Sequence, residues 1–178
     1  MNTCHIKELM ENNYEFSEDS GAAAVENSMP PEIPMRSQLD TISEDIISRV
    51  SRETEISRIV YLNLFNNKIK KIQCMQSMPN LLTLILSFNE IEEIEGLSTN
   101  TKLRKIEISH NFIRSLKNMQ SLTELTFLDI RHNWIEDLNC LDHVVQHCTS
   151  LEELGFKSNP ASTKSRYRAT IFKKMPAL

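Results

Sequence analysis

Apolar residues recur through most of this chain in one short frame: Leu-x-x-Leu-x-Leu, with Ile or Phe allowed for Leu, then Asn and a further Ile. The copies read Ile59, Leu62, Leu64, Asn67, Ile69, then Leu81, Leu84, Leu86, Asn89, Ile91, then Leu103, Ile106, Ile108, Asn111, Ile113. The fourth is Leu125, Leu128, Ile130, Asn133, Ile135; the fifth is Leu151, Leu154, Phe156, Asn159, where Pro160 breaks the continuation. The first four asparagines are 22 residues apart and the fifth follows after 26. Another apolar residue follows three after each closing Ile: Ile72, Ile94, Leu116, Leu138.

The Leu-x-Leu part alternates with period two, so it predicts a short strand with one face turned inward. A lone strand of that kind cannot bury its apolar face, whereas stacked coils bury one another's. Each asparagine falls where the chain leaves the strand. Its amide offers two donors and an acceptor, which a buried turn must satisfy at the risk of about 1–3 kcal/mol per unmade bond. Asn67, Asn89, Asn111, Asn133 and Asn159 are therefore read as a structural ladder.

This frame resembles the 22-residue class of leucine-rich repeats typified by the Sds22-like proteins, over about residues 39–178. The resemblance implies an α/β fold: a right-handed solenoid, or horseshoe, with parallel strands on the concave side and short helical turns on the convex side. It also implies a protein-binding scaffold, since relatives regulate a phosphatase, join spliceosomal particles or serve dynein and ciliary assembly. The longer, mainly acidic and aromatic concave row of the phosphatase-binding relatives is not matched here, where Glu107 and Asp129 alone supply central acid.

A solenoid needs closing at both ends. Thr41-Ile-Ser-Glu44 reads as a capping box, and Ile42, Ile46, Ile47 and Val50 predict a covering helix over 42–53. The stretch resembles the entry helix of several ciliary leucine-rich-repeat proteins. At the other end Asn159-Pro160, Tyr167-Arg168 and Met175-Pro176-Ala177-Leu178 resemble the family's C-terminal cap motif, cut short at Leu178. The organisation expected is an acidic arm at 1–38, an entry segment at 39–58, five coils at 59–160 and an incomplete cap at 161–178. The arm carries seven acids against one Lys up to Met35, with Pro30, Pro31 and Pro34, and reads as disordered; a docking arm anchored by Tyr14 and Phe16 is the other reading.

Between the core letters lie the outward residues. The first two coils offer an aromatic and aliphatic patch of Tyr61, Phe65, Ile85 and Phe88; the next two offer Lys105, Glu107, His110, Phe127, Asp129, Arg131 and His132. Phe112 and Trp134 follow successive ladder asparagines and are placed on the ascending rim. An apolar patch rimmed by charge marks an interaction site. Five strands spaced at ~4.8 Å give a concave footprint on the order of 300 Å², well under the ~800 Å² per partner of a standard interface. The rim, the arm or the basic end is therefore expected to contribute.

Charge and composition narrow the classes further. Residues 1–58 hold 5 Lys/Arg against 12 Asp/Glu and residues 59–178 hold 15 against 12, while 157–174 carries six bases and no acid. That run makes RNA or ribonucleoprotein contact an alternative, although the chain is acidic overall. Only 3 glycines and no phosphate-loop motif argue against nucleotide chemistry. His110 and His132 beside Asp129 and Glu107 could transfer a proton in principle, but an open sheet excludes no water. Cys140, His143, His147 and Cys148 have suggestive zinc spacing, yet one short helix rarely supplies three ligands. Neither enzyme activity, cofactor nor metal is expected, nor a small-molecule substrate. No apolar stretch approaches the ~18 residues that cross a bilayer, and the front end is unlike a signal peptide. The reading is a cytoplasmic monomer that binds another protein, with cilium or cytoskeleton as a setting and the nucleus or a phosphatase complex as alternatives.

Overall fold

The computed structural model describes residues 39–176. The acidic arm, with Tyr14 and Phe16, and the closing Ala177-Leu178 lie outside them. Among the described residues five three-residue strands form one parallel sheet in chain order: β1 Tyr61–Asn63, β2 Thr83–Ile85, β3 Lys105–Glu107, β4 Phe127–Asp129 and β5 Glu153–Gly155. The register is in step, Leu62 against Leu84, Ile106, Leu128 and Leu154. Every strand-to-strand step is one coil of chain. The inward Leu and Ile of the frame are fully buried through coils one to four.

The ladder asparagines line up and each reaches back to the coil before it. The side-chain nitrogen of Asn111 donates to the carbonyls of Leu86 (3.0 Å), Ile108 (3.1 Å) and Ser109 (3.1 Å), and its oxygen accepts from the Ile91 N–H at 3.0 Å. Asn89, Asn133 and Asn159 repeat this pattern on their own preceding coils. Among the described residues Asn67 has no coil behind it. It bonds the carbonyls of Leu64 and Phe65, but its buried Oδ1 has no partner.

The convex side differs from the expected run of helical turns. Coil one has a 3-10 turn at Met75–Ser77; coils two and three pass through turns with no helix. Coil four carries a 3-10 turn, Leu138–Cys140, that runs into α2, Leu141–His147. The extra four residues between Asn133 and Asn159 provide that helix. Three left-handed residues, Cys74, Gly96 and Asn118, turn the first three convex arcs. At Gly96, φ is 72° and a Cβ would stand 2.7 Å from the Ile72 carbonyl oxygen, so glycine is required. Asn100, wholly buried, donates to the carbonyls of Met75 and Met78 and ties coil two to coil one.

The front helix, α1 Glu44–Ser51, is shorter than 42–53 and begins at a different cap. Ser43, not Thr41, accepts the Ile46 N–H. This choice leaves Ile42 just ahead of the cap and Ile47 in the first turn, both buried, the arrangement of a hydrophobic staple. Val50, expected on the covered side, is 40% exposed, because Arg52 at φ 60° ends the helix before a second buried row forms. Ser77 and Glu44 share a hydrogen bond that holds α1 to the first coil. At the back, α3 Tyr167–Lys174 buries none of its own residues; Tyr167 and Ile171 pack on the core and Met175 follows them in. Lys174 meets Asp142 of α2.

Candidate protein-binding face

The residue before each ladder asparagine adopts the left-handed conformation: Asn66, Phe88, His110, His132 and Ser158, with φ between 53° and 63°. Asn and His tolerate that region comparatively well; Phe88 bears a strain of about 1–2 kcal/mol. Their amides extend the sheet beyond the strands, Phe88 N–H to the Ser109 carbonyl at 2.9 Å and His110 N–H to the Arg131 carbonyl at 3.0 Å. The outcome is a column of rings along one margin of the concave face. Phe65 meets Phe88 edge-on with centroids 5.2 Å apart; Phe88 stacks on His110 at 3.9 Å and His110 on His132 at 4.1 Å. The aromatic and the charged halves read from the sequence are thus one continuous surface.

Burial pushes His110 below the ordinary histidine range, and the neighbouring His132 and Arg131 charges add to the shift, while Asp129 opposes it. Its buried Nδ1 has no hydrogen-bond partner.

The charged residues are paired among themselves. Arg131 grips Asp129 with two parallel bonds, Nε to Oδ1 and an NH2 nitrogen to Oδ2, both 2.9 Å. Asp129 was expected as an exposed acid; it is 4% exposed, covered by this arginine. Both lean over β5, where Gly155 leaves the space: a Cβ there would stand 2.7 Å from Asp129 Oδ1 and 3.3 Å from Arg131 Cγ. Lys105 bonds Glu107 at 2.7 Å and lies over the Phe127 ring at 4.7 Å. Ser87 and Ser109, one residue after the last core letter of their coils, are buried and bonded to each other. Asp129 is held by Arg131 and Glu107 by Lys105, and among the described residues neither carboxylate forms an ion pair with His110 or His132.

Tyr61 is exposed at the edge strand beside Asn63, and Ile85 is half-buried between Asn63 and Glu107. Trp134 stands apart from the column, on the ascending rim, where it meets Phe112 edge-to-face at 6.2 Å. Arg114, not singled out in the sequence, lies over the Trp134 ring at 5.6 Å. The left-handed column and Gly155 were likewise missed; the recurrence of Asn or His just before the ladder Asn was the signal available for the first. On the convex side, burial pushes the Cys140 and Cys148 thiols up to about 11, so both stay protonated.

A family model described as Leucine Rich repeat matches residues 121–138, in the fourth coil. A Listeria monocytogenes internalin (inlF) superposes with a TM-score of 0.51 at 29% identity, over 58% of this chain. The chain is a leucine-rich-repeat solenoid. It spans only 29% of the length of that internalin. A structure of the Drosophila melanogaster SNF/U2A′ complex matches with a TM-score of 0.69 at 23% identity, over 79% of this chain and 82% of its own. A Leptospira interrogans leucine-rich-repeat protein matches over 79% of this chain and 33% of its own, with a TM-score of 0.59 at 20% identity. None of the curated proteins matches the sequence. The leucine-rich-repeat fold commonly mediates protein–protein interaction.

Proposed function

We propose that the solenoid is a non-enzymatic scaffold or adaptor that grips a protein partner on its concave face and ascending rim. One observation carries this reading. Tyr61, Phe65, Phe88, Phe112 and Trp134 are each 39–52% exposed although the core beneath them is fully closed. Large aromatics left in water on a rigid sheet and rim are the residues that anchor interfaces. Arg131, fixed by Asp129 in a forked pair, adds an oriented donor among them. The structure matched from Drosophila is itself a complex.

An Sds22-like class and a cytoplasmic, cilium-related setting belong to the same proposal. Support comes from the 22-residue spacing of Asn67 to Asn133 and from the likeness of the segment around Thr41, Glu44, Asp45 and Ile46 to ciliary entry helices. The test is quantitative affinity capture from cell lysate with the wild-type chain beside the double variant Phe88→Ala, Arg131→Ala. The partner should bind about tenfold more weakly to the variant. Equal binding by a variant that keeps its fold sinks the reading.

A further inference from the structure

The ring column has one closed end and one open end. Phe65 closes it at coil one. At the other end, His132 stacks one face on His110, and no ring of the described residues meets its second face. The chain position that follows in the column is Ser158. The register Asp129 to Gly155 and the bond from the His132 N–H to the Lys157 carbonyl, 3.1 Å, place it there. Ser158 has the same left-handed backbone as His132, φ 63° against 53°, so a side chain at this position points as the rings do. Coils two, three and four fill the position with a ring; coil five supplies a hydroxymethyl group. Because the rings stack at 3.9–4.1 Å, a further ring fits over Ser158 at the same spacing.

The surroundings specify what kind of ring. Lys157 is exposed and makes no ion pair among the described residues. Arg131 leans toward the same strand, with Gly155 leaving room for it. From Lys157 to Lys174 the chain has no acid, although Glu152 and Glu153 stand exposed at the start of β5. A cationic guest is repelled there; a ring flanked by carboxylates is attracted. A nucleic-acid platform offers several free ring faces in succession. Here Phe88, His110 and His132 stack on one another and Phe65 caps the first of them edge-on, so among the described residues the stack can be continued at the free face of His132, which suits a single side chain.

We propose that the open end of the column, above Ser158 and beside Lys157, receives an aromatic side chain from an acidic segment of the partner protein. This rests on the concave-face reading and names the chemistry of the partner. The aromatic ring continues the stack on His132, and its neighbouring carboxylates meet Lys157 and the outer side of Arg131.

The test uses the full chain and the imidazole proton signals of His110 and His132. The probe is a ten-residue synthetic peptide of Glu, Asp and Ser with one central Phe. Addition should move the His132 signal upfield by ring current and saturate, with a smaller change at His110. Replacing the central Phe by Leu, or the acids by Lys, should weaken the effect about fivefold or more. In the protein, Ser158→His fills the place with a ring and should block the peptide; Phe88 shows that a ring is tolerated on this backbone. Lys157→Glu should weaken it as well. Equal response to the Leu peptide, or an unaltered response in Ser158→His, overturns the proposal. So does an equal shift with octauridylate, or a His132 shift that depends on protein concentration alone, which assigns the place to a second copy. The two readings separate in the capture experiment. If Phe88→Ala, Arg131→Ala loses the partner while Ser158→His keeps it, the concave face stands and this place on it falls.

Discussion

His110 gathers the most constraints of any single residue. Its backbone is left-handed, its ring lies between Phe88 and His132, and its Nδ1 is buried without a partner. Burial of the ring, and after it the nearby His132 and Arg131, disfavours a proton on the imidazole, with Asp129 opposing. The folded value lies below the ordinary 6.5, so the unfolded chain takes up the proton first as pH falls. Stability is therefore complete above about pH 6.5 and is lost as pH drops toward the folded value. Urea midpoints measured from pH 7.5 to 5 should fall over that window, and His110→Phe, which keeps the stack, should flatten the decline. An unchanged slope in the variant removes His110 from the account. The pattern of apolar and polar letters put His110 on the working face but gave no sign of the stack. Ring–ring contact across coils depends on the left-handed backbone one residue before the ladder, which the alternation of a strand does not encode.

At the scale of a coil, the asparagine is the element's clasp. Asn111 makes three bonds through its nitrogen and one through its oxygen, whereas Asn67 makes two and leaves its oxygen bare. Asn111→Ala should cost about 3 kcal/mol, and Asn67→Ala roughly 1 kcal/mol less, by chemical denaturation. Equal losses mean that the bonds to the preceding coil contribute nothing. The strands and their turns were legible because Leu62, Leu64 and Asn67 recur with the same spacing five times. The convex arcs were not, because there the chain is free to form a 3-10 turn, a bare turn or α2, according to how many residues are left over. The cap at Thr41 failed for a related reason. Thr41 and Ser43 both suit the role, and the burial of Ile42 and Ile47 decides between them.

Over the whole molecule, each coil touches mainly its neighbours, so protection should be graded along the axis. The central inward residues Leu84, Ile106 and Leu128 are sealed, while Leu154 of the last strand is half-buried. Native-state hydrogen exchange should therefore be roughly tenfold or more slower at the amides of Leu86 and Ile108 than at Glu153. Uniform exchange means that the five coils open as one unit. The direction of the asparagine bonds adds an asymmetry between the ends. From Asn89 onward, each clasp fastens the turn that precedes it. Removing chain from the C-terminal side strips partners from the turn left behind, since Ile130 and Ile135 depend on Asn159. Removing a turn at the front merely hands the bare oxygen of Asn67 to Asn89. The stitching runs one way, so two deletions of equal length at opposite ends should leave proteins of unequal soundness.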